Sequence, residues 1–482
     1  MDSTTTGASS QRSRHADKRS DKPALLINRD FALLWTGQAV SIFGDLMFTT
    51  TLVIWIAQGL ATRQSWAPVA VSGVLLAAAA PTLLVGLFAG VFVDRAAKRP
   101  LMLWMDAART VIVALLIVAS GEFPLPLLAG GRLPLYWALG LIYAVVVLVN
   151  IGEQFFRPSA MALIQDIVPT EHQARAMGLS QMSISIALIL GPALAAPLYA
   201  AFGPAWAILI DAATFGISYL TIFALRAPHH AAAAHGEEHR AGFWRELLAG
   251  ARFYFSNRVL VTLLLAIVVG VSGASALNTL DVFFATQNLH ATTAMYGLIG
   301  GVFGLGAILG SIFFGLVAQK IGLARTLWLT MGLFGALVVV LSRVTAYEVA
   351  LGIFLVAGAL NSGLNVAAGP MMMRETPNAM MGRVMSIFQP SMNLAILVST
   401  AAVGYLAGVT LHDFHARWLG MSFAAVDTIY LGGGVLMALS GVVLLIGLHG
   451  VDRRYRREDQ AAEAAKATAA QTTEVTSTVA SV

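Results

Sequence analysis

Uncharged apolar runs of twenty residues or more return again and again along this chain, and they constrain its fold more than any other feature. Such a run, wound as a helix rising 1.5 Å per residue, crosses the ~30 Å hydrocarbon layer of a membrane. Strands of a membrane β-barrel would be far shorter and would alternate apolar with polar residues. With 57% hydrophobic and 11% charged residues in 482, the composition does not describe soluble domains. The reading is an all-α integral membrane protein.

The runs and their breakers predict twelve spans, and the first six are Phe31 to Gly59, Pro68 to Val93, Leu101 to Ser120, Leu135 to Phe155, Ala174 to Ala200 and Ala205 to Leu225. The second six are Leu260 to Thr286, Ala294 to Ala318, Ala324 to Leu341, Val349 to Met373, Val384 to Val409 and Ala425 to Leu448. Of the 30 Lys and Arg, Arg63, Arg132, Arg343 and Arg417 fall on one face and Arg109 inside a span; all others gather on the opposite face with the tails. The positive-inside rule therefore places both termini in the cytoplasm. The same rule accounts for the net charge of +5 without nucleic acid.

The longest polar interruption separates two sets of six spans. The chain divides into a disordered tail at 1–27, a bundle at 28–226, a cytoplasmic loop at 227–256, a second bundle at 257–450 and a disordered tail at 451–482. The opening residues are polar and basic, and the apolar segment after them is too long for a secretory signal and lacks its cleavage site, so no processing is expected. With no cysteine there are neither disulfides nor thiolate metal sites.

Repeats tie the halves together. Pro169, Arg175, Met177 and Gln181 recur at the same spacing as Pro377, Arg383, Met385 and Gln389, each set entering the fifth span of its half. Asn28 and Arg29 before span one are echoed by Asn257 and Arg258 before span seven, and Gly90-x3-Asp94-Arg95 by Gly315-x3-Gln319-Lys320. A duplicated six-helix unit is a transporter architecture.

From Arg29 to Leu448 the sequence resembles the major facilitator superfamily. "GVFVDRAAKRP" is similar to that superfamily's loop signature, with Ala97 where glycine is usual. The block from "FFRPSAMALIQDIVPTEHQARAMGLSQ" to "IDAATF" resembles the drug-efflux branch that holds macrolide-efflux and enterobactin-exporter proteins. "ILGPALAAP" is similar to the antiporter signature, Gly191 and Pro192 matching and Ala195 and Ala196 replacing glycines. The resemblance implies two pseudo-symmetric six-helix bundles and export. It also implies that Gly90, Asp94, Arg95, Lys98 and Arg99 form a cytoplasmic gate, Asp94 docking against the start of span eleven near Asn378. On residues alone, the same charges read as anchors of a tight cytoplasmic turn.

Charges inside spans are costly and so informative. Asp45 lies about fourteen residues into span one, beyond the midplane, and is the first candidate to carry a proton; a structural hydrogen bond is the alternative. Asp211, early in span six, is the second, set against a capping or interface role. Asp106 with Arg109, three apart, and Glu153 with Arg157, four apart, read as intrahelical ion pairs. Asp281 and Asp427 fall near the periplasmic surface.

Several motifs are set aside. "GLGAILG" has the wrong spacing for a nucleotide loop, and no Walker loop, hydrolase elbow or zinc helix motif is present, so neither enzyme nor cofactor is expected. Met371 to Met373, Met380 and Met381 read as packing residues rather than a Cu(I) site, and His229, His230, His235 and His239 as a solvated loop, so no metal is expected. The pairs Gly86–Gly90, Gly306–Gly310 and Gly404–Gly408 let helices approach closely.

The expected function is a monomeric secondary transporter in the lipid bilayer of the bacterial inner membrane. It would export a small, amphipathic organic compound or drug in exchange for protons. A dedicated exporter of one metabolite such as a siderophore, and a membrane sensor or lipid-handling protein on the same scaffold, are the alternatives.

Overall fold

The computed structural model describes residues 27–62, 64–120, 133–226, 243–377, 380–418, 421–461 and 463–465. In the first half, helices α1 (Arg29–Ile54), α2 (Ala67–Leu84), α3 (Gly86–Arg95), α4 (Lys98–Ala114), α5 (Ile117–Ser120), α6 (Leu135–Ile167) and α7 (Gln173–Phe223) follow in order. A surface helix, α8 (Phe243–Ser256), leads to the second half, formed by α9 (Arg258–Phe283), α10 (Thr293–Ile321), α11 (Leu323–Leu341), α12 (Tyr347–Glu375), α13 (Met381–Tyr405) and α14 (Ala425–Gly447). Between α13 and α14 a two-stranded antiparallel hairpin pairs β1 (Ala416–Trp418) with β2 (Met421–Phe423). It is the one departure from an all-helical chain among the described residues.

Eleven helical stretches among the described residues are long and apolar enough to cross a membrane. The 51-residue α7 supplies two crossings. Gly191 and Tyr199 pack against Leu46 and Gly59, running parallel to α1, whereas Asp211 and Thr221 face Gly44 and Gly37, running antiparallel to it. The chain therefore reverses between them, at Gly203, whose φ of 72° and ψ of −175° only glycine adopts cheaply. Pro204 follows and starts the returning helix, its fixed φ suited to a first turn. Twelve crossings result, in two sets of six. An even number returns both ends of the helical body to one side, the tail face; the other is the far face.

The sequence repeats acquire a structural meaning at the tail face. Asn28 caps α1 by accepting from Phe31 N at 2.7 Å and donates to Ile167 O at the end of α6, 2.7 Å. Asn257 caps α9 by accepting from Val259 N at 2.9 Å and donates to Glu375 at the end of α12, 3.0 Å. Each asparagine thus satisfies a helix start and ties the first span of its half to the fourth. Likewise His172 N bonds Pro169 O and Met380 N bonds Pro377 O, the same turn at both equivalent places.

Packing differs between the two faces. Near the far face one apolar core runs through both halves, from Phe48 and Val71 to Leu280, Tyr296 and Val403. Toward the tail face it gives way to separate clusters, one around Phe31 and Phe156 in the first half and others around Leu263 and Tyr254 in the second. Glycine sets the closeness of the far-face seam. Gly297, Gly300 and Gly304 of α10 lie against Ala196, Pro192 and Ile189 of α7, and Gly404 of α13 and Gly408 in the π-helical turn that continues it against Ser72 and Val69 of α2. Gly306 and Gly310 instead press on the backbone of Leu355 and Ala359, joining α10 to α12 within the second half.

Candidate functional site

A cavity of about 730 Å³ opens where the core divides, lined by α1, α2, α4, α6 and α7 of the first half. Its walls are mostly apolar, with the amides of Gln38, Asn150 and Gln181 and several Ser and Thr hydroxyls as neutral polar groups and Asp45, Arg109, Glu153 and Arg157 as charged ones. A large apolar surface with a few convergent polar groups suits an organic solute.

At the wall of this cavity the guanidinium of Arg109, 2% exposed, collects the carboxylates. Glu153 of α6 accepts a hydrogen bond from Arg109 Nη2. Asp45 Oδ2 of α1 stands 3.8 Å from the same nitrogen, and Asp106 Oδ1 lies 3.6 Å from Nη1. Phe215 and Phe156 cover the cation, with ring centres 4.4 and 5.4 Å from Cζ, and Gly152 leaves room for the Arg109 stem. Asp106 is wholly buried, whereas Asp45 and Glu153 keep 32% and 31% of their side-chain surface open. One guanidinium thus faces three carboxylates, two of them reachable from the cavity.

Asp211 of the returning part of α7 is the fourth. It is fully buried against Gly44, beside Asp45, with Thr214 Oγ1 bonded to its carbonyl at 2.7 Å and its own Oδ2 unpartnered. Helix α1 and the π-helical turn Trp55–Leu60 that continues it span 32 residues, and Asp45 falls near their middle.

One expectation from local spacing is corrected. Glu153 turns across to Arg109 on α4 rather than along its own helix to Arg157, and Arg157 makes no ion pair among the described residues but lines the cavity. The tertiary pairing wins because Arg109 is a buried cation that needs a hydrogen-bonded carboxylate, whereas Arg157 is not buried. Asp106 and Arg109 do lie together, but as part of a group drawn from several helices rather than a closed pair.

The charged loop after span two is divided. Lys98 Nζ binds Asp166 at the end of α6, 2.8 Å, and Arg99 donates to the Ile222 and Phe223 carbonyls at the end of α7, 3.2 and 2.7 Å. Both cations therefore fasten helix ends of their own half. Gly90, Asp94 and Arg95 belong to α3, but the surroundings of Gly90 and the side chains of Asp94 and Arg95 lie outside the described part, as do Asn378 and the histidines at 229–239.

Gly191 packs on Leu46 and Met47, next to Asp45, while Pro192 meets Gly300 of the second half. The antiporter-like segment therefore lies between the carboxylate group and the seam. Met371 and Met372 are buried in the second half's core, and no group of three or more His, Asp or Glu is placed to hold a metal among the described residues.

The sequence reading missed the far-face closure. Thr293 Oγ1 of the second half lies 2.5 Å from Gln58 Oε1 of the first. Around it three helices end in π-helical turns, Trp55–Leu60, Phe284–Asn288 and Leu406–Thr410, which carry no periodicity signal. Beneath it Asp281 Oδ2 accepts from Tyr296 Oη at 2.8 Å, and Asp427 is bonded by Asn288 and lies 3.8 Å from Arg343.

Comparison with known proteins agrees with this architecture. A family profile described as transmembrane secretion effector, of the MFS group, matches residues 22–427. The chain is 24% identical to the MFS-type transporter YkuC of Bacillus subtilis, over 87% of its own length and 93% of that protein's. It is 25% identical to macrolide efflux protein A of Streptococcus pyogenes, over 63% of its own length and 70% of that protein's. Among solved structures it resembles a bacterial homologue of the iron transporter ferroportin in the inward-facing state, TM-score 0.65 at 13% identity, covering 87% of this chain and 99% of that one. It also resembles the D-xylose–proton symporter, TM-score 0.60 at 13% identity, covering 85% and 96%. These structural likenesses show the fold. With its duplicated twelve-span body and its match over most of its length, the chain belongs to the transmembrane secretion effector family, in the efflux branch of the major facilitator transporters.

Proposed function

We propose that the protein exports a small amphipathic organic compound from the cytoplasm in exchange for protons, its two halves rocking about the cavity. The observation that carries this reading is the group at the cavity wall: three carboxylates around one guanidinium, with Asp45 and Glu153 open to the solute's space. When one cation faces several carboxylates in a dry site, a proton supplies the missing balance. A solute that brings a cationic or hydrogen-bond-donating group to these carboxylates favours their charged form and releases the proton. Asp45 is the coupling group, because it is cavity-facing and lies 3.8 Å from Arg109 without a hydrogen bond to it. Asp211, buried beside it with one oxygen unpartnered, is the second.

The tail face, rich in Lys and Arg, is taken as cytoplasmic, in the inner membrane of a bacterium. The contacts described then hold the far, periplasmic side closed, and Asp94 is the latch that closes the cytoplasmic side in the other state. The bodies that move are 28–226 and the second half from 257, which runs past 450 because residues 451–461 are helical rather than disordered, Val451 and Tyr455 lying in its core and Asp452 accepting from Ala324 N and Arg325 N. Export is suggested by the likeness to macrolide efflux protein A. The test is purified protein in liposomes under an imposed pH gradient, with candidate compounds screened while internal pH is recorded. Substrate movement without linked proton movement contradicts antiport.

A further inference from the structure

The surface helix α8 stands apart from the transport path. Its inward side is fixed: Gly250 lies against the backbone of Arg383 at the start of α13, and Tyr254 is wholly buried with Leu260, Leu264, Met372 and Val384. On the opposite side, Leu248 and Phe255 are 71% and 62% exposed. They are seven residues apart, two turns on one stripe, and exposed Arg252 lies between them on that stripe. A single residue, Asn257, separates α8 from the first turn of the membrane-crossing α9, so the helix lies at the depth where span and surface meet. Arg258, exposed in that turn, adds a second cation.

We propose that α8 is an interfacial anchor: Leu248 and Phe255 enter the outer part of the acyl layer, and Arg252 engages the phosphate of an anionic lipid. Leucine and phenylalanine at such exposure are costly in water and favourable in the headgroup–acyl boundary, where an arginine can hold its charge at the phosphates. Attraction to an anionic surface is worth about fivefold in local occupancy per cation near it. Because Gly250 rests on α13 and Tyr254 bridges α9, α12 and α13, the anchor fixes the tail-face ends of those helices at the membrane surface.

The chain contains no cysteine, so a single spin label can be placed in the whole protein as L248C or F255C. Both labels are compared for collision with oxygen and with a water-soluble nickel chelate, in phosphatidylcholine vesicles with and without phosphatidylglycerol. The expected result is preferential collision with oxygen at both positions, deepened by phosphatidylglycerol, with the deepening lost in R252Q and kept in R252K. Preferential collision with the nickel chelate places α8 in water and overturns the proposal. Oxygen exposure indifferent to phosphatidylglycerol overturns the anionic-lipid assignment, and spin–spin broadening between labels puts a second copy of the chain on this face instead. Because both labelled positions are exposed, these substitutions leave the core untouched.

Discussion

Asp45 and Glu153 approach the same guanidinium from different helices, yet Arg109 Nη2 makes a hydrogen bond only to Glu153 and stands 3.8 Å from Asp45. The arrangement has one settled partner and one that is free to change. A shift of α1 against α4 and α6 would alter the second contact without breaking the first.

Removing the cation should therefore damage the fold as well as transport. Arg109→Gln leaves the buried Asp106 and the part-open Asp45 and Glu153 without a counter-charge, a loss of at most about 3–5 kcal/mol. Thermal unfolding of the purified variant should show a clearly lower midpoint. Arg109→Lys should recover part of it, because the charge returns without the fork.

Gly203 bears on whether α7 is two crossings or one. Alanine in its backbone conformation is strained, so Gly203→Ala should cost about 1–3 kcal/mol and lower the folded yield. Wild-type stability in this variant would mean that the reversal is made elsewhere.

At the far face, Gln58→Leu removes the acceptor for Thr293. A hydrogen bond contributes about 1 kcal/mol, roughly a fivefold shift in an equilibrium between closed and open. A cysteine at Val69, which packs on Gly408 across the seam, should react with maleimide about fivefold faster in the Gln58→Leu background. An unchanged rate would mean that the bond does not hold the seam.

Asp94→Asn should leave the protein folded while slowing turnover. A latch between two states must be modest, about 1–3 kcal/mol, or the carrier would stop in one of them. Unchanged transport at normal expression would count against a latch.

Architecture was legible because lipid forces it: apolar length gives the spans, and the break placed between Ala200 and Ala205 coincides with the reversal inside α7. The asparagines at 28 and 257 were visible as an echo, although only coordinates show each tying a first span to a fourth. Asp45, Asp211 and Arg109 stood out because charge in hydrocarbon is rare. Glu153 was read toward Arg157 because neighbours four apart share a helix face, and spacing says nothing of a cation on another helix. Lys98 and Arg99 bind helix ends distant in sequence, and the π-helical turns depend on tertiary packing. Neither leaves a local pattern.

The most direct test of proton coupling compares Asp45→Asn with the unaltered protein in liposomes, measuring both gradient-driven accumulation and downhill exchange of one transported compound. The account predicts that accumulation is abolished while exchange persists. Retained uphill transport in the variant would contradict it.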